Sequence, residues 1–171
     1  GNAEVYFKRI PGVPVTRGNG RIAFAPNVGG AHQIFTVKPD GSDERQLTTV
    51  GNNHMPAWSR DGNKIAFVSG SPGSQELWVM DPDGSNANQL TSLGGVCAVP
   101  DWSPDGTQIA FAHVAPGVPH PEIYSMGSDG SSPTRLTVTG NMGAVHPSFS
   151  PDGNRIVFSS SQSGAPQIWM M

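Results

Sequence analysis

Ser103-Pro104-Asp105-Gly106-Thr107-Gln108-Ile109-Ala110-Phe111 is a phrase this chain repeats. It recurs as Ser150-Pro151-Asp152-Gly153-Asn154-Arg155-Ile156-Val157-Phe158, and again as Ser59-Arg60-Asp61-Gly62-Asn63-Lys64-Ile65-Ala66-Phe67. A worn copy, Thr16-Arg17-Gly18-Asn19-Gly20-Arg21-Ile22-Ala23-Phe24, stands near the start. Ile22, Ile65, Ile109 and Ile156 mark a period of 43 to 47 residues. A period of that size, carried by short apolar strands and Asp-Gly turns, is the signature of β-propeller blades.

The second copy shows how one repeat reads. Residues 45–48 make a short strand, and residues 56–59 make another. Asp61-Gly62 supplies the turn chemistry of a tight hairpin, and residues 64–68 return as an apolar strand. A fourth strand, residues 76–81 (Glu-Leu-Trp-Val-Met-Asp), ends at the turn Pro82-Asp83-Gly84-Ser85. Four short antiparallel strands are the content of one blade. Labelled A to D from the propeller axis outward, the strands follow the chain in the order D-A-B-C. The repeats span residues 5–38, 44–81, 87–127 and 133–171 of a single all-β domain, 1–171.

That phase leaves an orphan D strand at residues 7–10 and an orphan C strand at the other end. Complementary orphans predict a closed four-bladed ring in which residues 5–10 pair with residues 167–171. The alternative is a larger or dimeric ring, completed by a second copy or by further sequence. A monomer follows from the first reading and a homodimer from the second.

Composition narrows the partners. Only 13% of the residues are charged and the net charge is −3, so no basic field exists for nucleic acid or anionic lipid. No apolar run approaches the roughly 20 residues of a membrane-spanning helix. The 22 glycines and 16 prolines fit a protein of many tight turns. The single Cys97 rules out a disulfide within the chain. The chain opens Gly1-Asn2-Ala3, and no leader is visible in it.

The stretch Leu77-Trp78-Val79-Met80-Asp81-Pro82-Asp83-Gly84-Ser85-Asn86, followed by Gln89-Leu90-Thr91 and Trp102-Ser103-Pro104-Asp105-Gly106, closely resembles the WD40-like repeat of TolB-type propellers. The propeller domains of prolyl oligopeptidase relatives use similar repeats. The resemblance runs from about Gly12 to Met171. It implies a periplasmic or envelope-associated protein-binding scaffold. The hydrolase domain that accompanies this propeller in prolyl oligopeptidase relatives has no counterpart here.

Most conspicuous side chains have a structural reading. Asp61, Asp105 and Asp152, with Asp40, Asp83 and Asp129, sit before glycine, where Asp bonds its own turn. They are a blade apart, which is too far to share a cation. Trp58, Trp78, Trp102 and Trp169 recur at strand positions where blades need bulk. Met80, Met126 and Met170 read as core filler. No Gly-x-Ser-x-Gly, His-Glu-x-x-His or phosphate-binding loop is present, so an enzyme is the less favoured reading.

The histidines point to one face. A–B and C–D turns share one face of a propeller, and B–C and D–A loops share the other. His32, His113 and His120 are expected in B–C loops, with His54 and His146 just before strand A near the axis. All five therefore map to the face with the longer loops, which carry function in most scaffolds. The expected function is non-catalytic binding of a protein or peptide there, through exposed Asn52, Asn53, His54, Met55, Asn141, Met142 and His146. The alternative is a small-molecule or metal-dependent site at the channel mouth on the same face. Its candidate ligands are His54, His146 and Cys97, since imidazole is the commonest side-chain metal ligand; no other cofactor is expected.

Overall fold

The computed structural model describes residues 20–171. Sixteen strands and no helix are found among them. The first blade holds β1 (Ile22–Phe24), the small hairpin β2 (Asn27–Val28) and β3 (Ala31–His32), then β4 (Phe35–Val37) and β5 (Arg45–Gln46). The second is β6 (Asn53–Trp58), β7 (Ile65–Ser71), β8 (Ser74–Met80) and β9 (Asn88–Gln89). The third is β10 (Val96–Trp102), β11 (Gln108–Val114), β12 (Glu122–Gly127) and β13 (Thr134–Arg135). The last is β14 (Ala144–Phe149), β15 (Ile156–Ser160) and β16 (Gln167–Met170). Neighbours pair antiparallel within each blade, and each short outer strand pairs with the C strand before it in the chain. One parallel bridge, Val96 to Gln75, links the second and third blades.

The described sheets do not close on one another. The expected pairing of residues 5–10 with the final strand lies outside the described residues.

The repeated phrase folds as turn chemistry. Ser59 Oγ donates to Asp61 Oδ1 at 2.6 Å and accepts from Lys64 N at 2.9 Å, while Gly62 takes φ 73°. Ser103 with Asp105, and Ser150 with Asp152, repeat the arrangement. The Ser150 hydroxyl, and then the Asn154 amide, hold the Asp152 carboxyl down at about 2. These carboxylates serve their own hairpins.

The core lies between blades. Each blade has a back face, toward the preceding blade, and a forward face, toward the next. Ala66, Val68 and Leu77 on the forward face of the second blade meet Trp102, Ile109, Phe111 and Met126 on the back face of the third. Ile34 of the first blade meets Ile65, Phe67 and Met80 of the second. Ala112 and Ile123 of the third meet Ala144 and Phe158 of the last, with Trp169 packed alongside. The tryptophans are therefore interblade bulk, as their spacing suggested. One polar bond is added at each of two seams: Trp102 Nε1 donates to Ala57 O at 3.1 Å between the second and third blades, and Phe149 N donates to Asp101 Oδ2 at 2.8 Å between the third and the last.

Met170 departs from its expected place. Strand register sets Ile65 opposite Met80 and Ile109 opposite Met126, and Ile156 exchanges backbone bonds with Met171. Met171, not Met170, is thus the repeat equivalent of Met80. Met170 lies one residue earlier, on the other side of the pleat, and is 59% exposed.

Candidate functional site

The inner strands begin about three residues earlier than the Trp-Ser motif suggested, and each contains a bulge. His54 pairs with Val68 and Ala57 with Ala66, so Met55 and Pro56 together oppose Phe67. The same break falls between Ala98 and Asp101, and between Val145 and Ser148. The extra residue before each proline is left-handed: Met55 at φ 52°, Val99 at 52° and His146 at 55°. A β-branched residue with positive φ is a strained outlier. A bulge swings its side chain out of the strand's alternation. Met55 and His146 are exposed as a result.

This register corrects the pairing of the histidines. His146 is equivalent to Met55, whereas His54 is equivalent to Ala98 and Val145. The two histidines therefore do not occupy matching places around the axis. His113 is not in a loop. It is buried in β11, edge-on to Tyr124 at 5.1 Å between ring centroids, and burial lowers its pKa.

His54 and His32 do meet. Their ring centroids are 6.3 Å apart, edge to face. They line an open cleft of about 490 Å³ with Ala25, Asn52, Met55 and Pro56. Asn52 Oδ1 accepts from His32 N at 2.9 Å, fastening the β2–β3 hairpin to the D–A loop beside it. His54 Nε2 lies 2.8 Å from Gln75 Nε2. An amide nitrogen only donates, so this ring nitrogen accepts, which requires neutral imidazole. Desolvation by burial, then the nearby His32, lowers the His54 pKa in agreement.

Of the predicted site residues, Asn52, His54 and Met55 share this cleft. Asn141, Met142 and His146 are exposed on the last blade and do not line it. Asn53 was expected to be exposed but is buried, donating to Gln33 Oε1 at 3.2 Å and Val50 O at 2.7 Å. Cys97, its repeat equivalent, lies in β10 and not in a loop; it is fully buried. Burial first, and then the Glu76 carboxylate, push its thiol up to about 12, where thiolate chemistry is suppressed. Among the described residues no group of three or more His, Cys, Asp or Glu is arranged to hold a metal.

A device that motif reading missed holds these loops in place. Gln33, Glu76 and Glu122 each precede the first core residue of a C strand, and Thr48, Thr91 and Thr137 follow the leucine of the D strand. Each threonine hydroxyl donates to the Gln or Glu side chain and accepts the C-strand amide of Ile34, Leu77 or Ile123. The carboxylates then grip the D–A loop: Glu76 accepts from Gly94 N at 2.8 Å, and Glu122 from Thr139 N at 2.7 Å. The recurring Leu-Thr, whose threonine falls 14 residues after Ile34, Leu77 and Ile123, is the signal that marks this latch.

Exposed large apolar side chains fall into two groups. Val28, Val50, Met55, Val118, Val138 and Met142 lie on the loop face. Leu136, Val157, Ile168, Met170 and Met171 lie on the last two blades, toward the chain's final strand. Leu136 and Met171 of this second group line a shallow cleft with the turn residues Gly153, Asn154 and Arg155.

Comparison with known proteins agrees with this architecture. The family model of the TolB beta propeller domain matches residues 5–113 and 56–171. The crystal structure of TolB from Acinetobacter baumannii is 28% identical, with a TM-score of 0.76 over 88% of this chain and 38% of that one. A structure assigned to TolB from Agrobacterium tumefaciens is 26% identical, with a TM-score of 0.78 over 89% of this chain and 57% of that one. This chain thus spans well under two thirds of either TolB structure. An oligogalacturonate lyase in complex with manganese, 23% identical over 88% of this chain and 44% of that one, shares the fold at a TM-score of 0.65. No curated protein sequence matches the chain.

Proposed function

As the chain belongs to the TolB beta propeller domain family, we propose that it is a non-catalytic scaffold of the periplasm or cell envelope that binds a protein or peptide on its loop face. The observation that carries this reading is the group of exposed apolar side chains on the loop face, Val28, Val50, Met55, Val118, Val138 and Met142. Contiguous apolar surface left in water marks contact sites, and loops carry function on most scaffolds. Met55 is aimed outward by its bulge beside the His32–His54 cleft. Met142 and Val138 extend the same face across the last blade. The neutral His54 imidazole and Asn52 supply polar contacts without strong charge, and suit a peptide more than an ion.

Selection of a random peptide display library on the 171-residue protein tests this. Enriched peptides are expected to lose binding with His54→Ala, Met55→Ala and Met142→Ala, while Met55→Ala and Met142→Ala, at exposed side chains, keep the native melting midpoint. The control Thr107→Ala, on the opposite face, should bind normally. Loss with the control and retention with the three loop-face variants places the surface on the wrong side.

A further inference from the structure

The charged side chains of this protein divide by face. Among residues 20–171, every Lys and Arg, from Arg21 to Arg155, lies in the half of its blade nearest the Asp-Gly turns, and so do Glu44 and every Asp. Turn chemistry accounts for the aspartates before glycine. It does not account for the cations, which have no part in forming these turns. The loop-side segments are 25–34, 47–56, 70–75, 91–100, 112–121, 137–147 and 160–167, and none contains Asp, Glu, Lys or Arg. Glu76 and Glu122 are the two acidic residues on that side, and the latch occupies both. Glu76 accepts from Thr91 Oγ1 and Gly94 N. Glu122 is 7% exposed and accepts from Thr137 and Thr139.

A surface that meets only water intersperses charges of both signs. The core of a contact patch is instead depleted of charge and enriched in methionine. The loop face has the second composition, with Met55, Met142 and the exposed valines set among Asn, Thr and Gly. The same composition narrows the occupant. A phosphate finds no Lys or Arg on the described loop face, and a cation finds no free carboxylate. Nucleic-acid bases need an aromatic ring to stack on, and no aromatic residue is among the large apolar side chains exposed there. A peptide fits: its side chains meet Met and Val, and its amides meet neutral donors and acceptors such as Asn52 and His54.

We propose that the segment bound by the loop face is itself uncharged, a run of apolar and small polar residues with no Asp, Glu, Lys or Arg where it touches the protein. This rests on the loop-face reading above and names the chemistry of its partner. A charged side chain pressed against this face would be desolvated with no opposite charge to meet it. The face therefore selects against charge of either sign. Association is unsteered and nearly independent of salt.

Peptides enriched from the display library on the 171-residue protein test it. Their contact positions are expected to be neutral. Replacing one contact residue by Lys, or separately by Asp, should weaken binding about tenfold or more in both cases. Kd should change by less than about twofold between roughly 50 and 500 mM NaCl. Val138→Asp alters a side chain 76% exposed, so the melting midpoint should hold. It should weaken the neutral peptides and favour their Lys variants over their Asp variants. Peptides that depend on Met55 and Met142 but require a Lys or an Asp, or that lose affinity several-fold with salt, overturn the neutral partner and leave the loop-face reading standing. No enrichment, or peptides indifferent to Met55→Ala and Met142→Ala, overturns both. Self-association in sedimentation velocity that Val138→Asp abolishes gives the face to a second copy and overturns the peptide.

Discussion

Thr137→Val removes one hydroxyl and nearly nothing else, and the latch around it sets the cost. Thr137 Oγ1 accepts from Ile123 N at 2.9 Å and donates to Glu122. Ile123 is fully buried and Glu122 is 7% exposed, so water does not replace either bond. Stranding a buried amide costs about 1–3 kcal/mol, and a hydrogen bond to a charged group contributes about 1.5–3 kcal/mol. Glu122 keeps Thr139 N at 2.7 Å and Thr139 Oγ1 at 3.0 Å, which softens the second loss. The new methyl returns about 0.8 kcal/mol. The net expectation is a loss of about 2–4 kcal/mol, or a fall of roughly 5–15 °C in Tm for a chain of this size. Thr48→Val breaks the same geometry against neutral Gln33, and should cost about 1 kcal/mol less. Urea unfolding followed by tryptophan fluorescence measures both, and the Ile123 amide should lose protection from hydrogen exchange. A loss below about 0.5 kcal/mol for Thr137→Val, or equal losses in the two blades, would refute the argument that the carboxylate latch holds the loops.

Gly130 takes φ 86°, and a Cβ there would lie 2.5 Å from Leu90 O of the neighbouring blade. Gly130→Ala should therefore destabilise by about 1–3 kcal/mol in the same urea assay, and a neutral result would contradict the close blade approach. Cys97 should resist maleimide at pH 8 in the native protein and react fully in urea, given a thiol pushed up to about 12 by burial; rapid native labelling would contradict its burial. The turn carboxylates have lowered pKa values, Asp152 at about 2 through the Ser150 hydroxyl. Their contribution to stability is complete above the unfolded value of 3.8 and is lost as pH falls toward 2, so a titration of Tm should decline through that window. His54, lowered from 6.5 by desolvation and then His32, contributes stability present above pH 6.5 and lost as pH falls through its folded pKa. NMR of its ring should show a pKa below that of His32→Ala protein.

The blade repeat, the strand order and the structural role of the Asp-Gly turns were legible because each rests on local chemistry. Asp61 bonds to Ser59 and Asn63, within two residues of itself. The Ile-Ala-Phe strands read correctly because burial on both faces leaves an apolar run. The site was legible only in outline. Asn53 and Cys97 looked like loop residues since strand A appeared to begin at proline. In fact each inner strand starts earlier and passes through a bulge, and a single inserted residue reverses which side chains face in. That inversion buried Asn53 and Cys97 and placed Met55 and His146 outside.

The sequence by itself determined a propeller of short antiparallel blades with one face of tight turns and one of longer loops. Its period and turn residues act over a few positions and need no partner. Tertiary structure alone decided that His32 and His54 share a cleft, that Glu76 and Glu122 serve the loops, and that Ile34, Leu77 and Ile123 are buried between blades. Those outcomes depend on which blade stands beside which, a matter of packing across tens of residues that the repeat, identical in kind at every copy, does not encode.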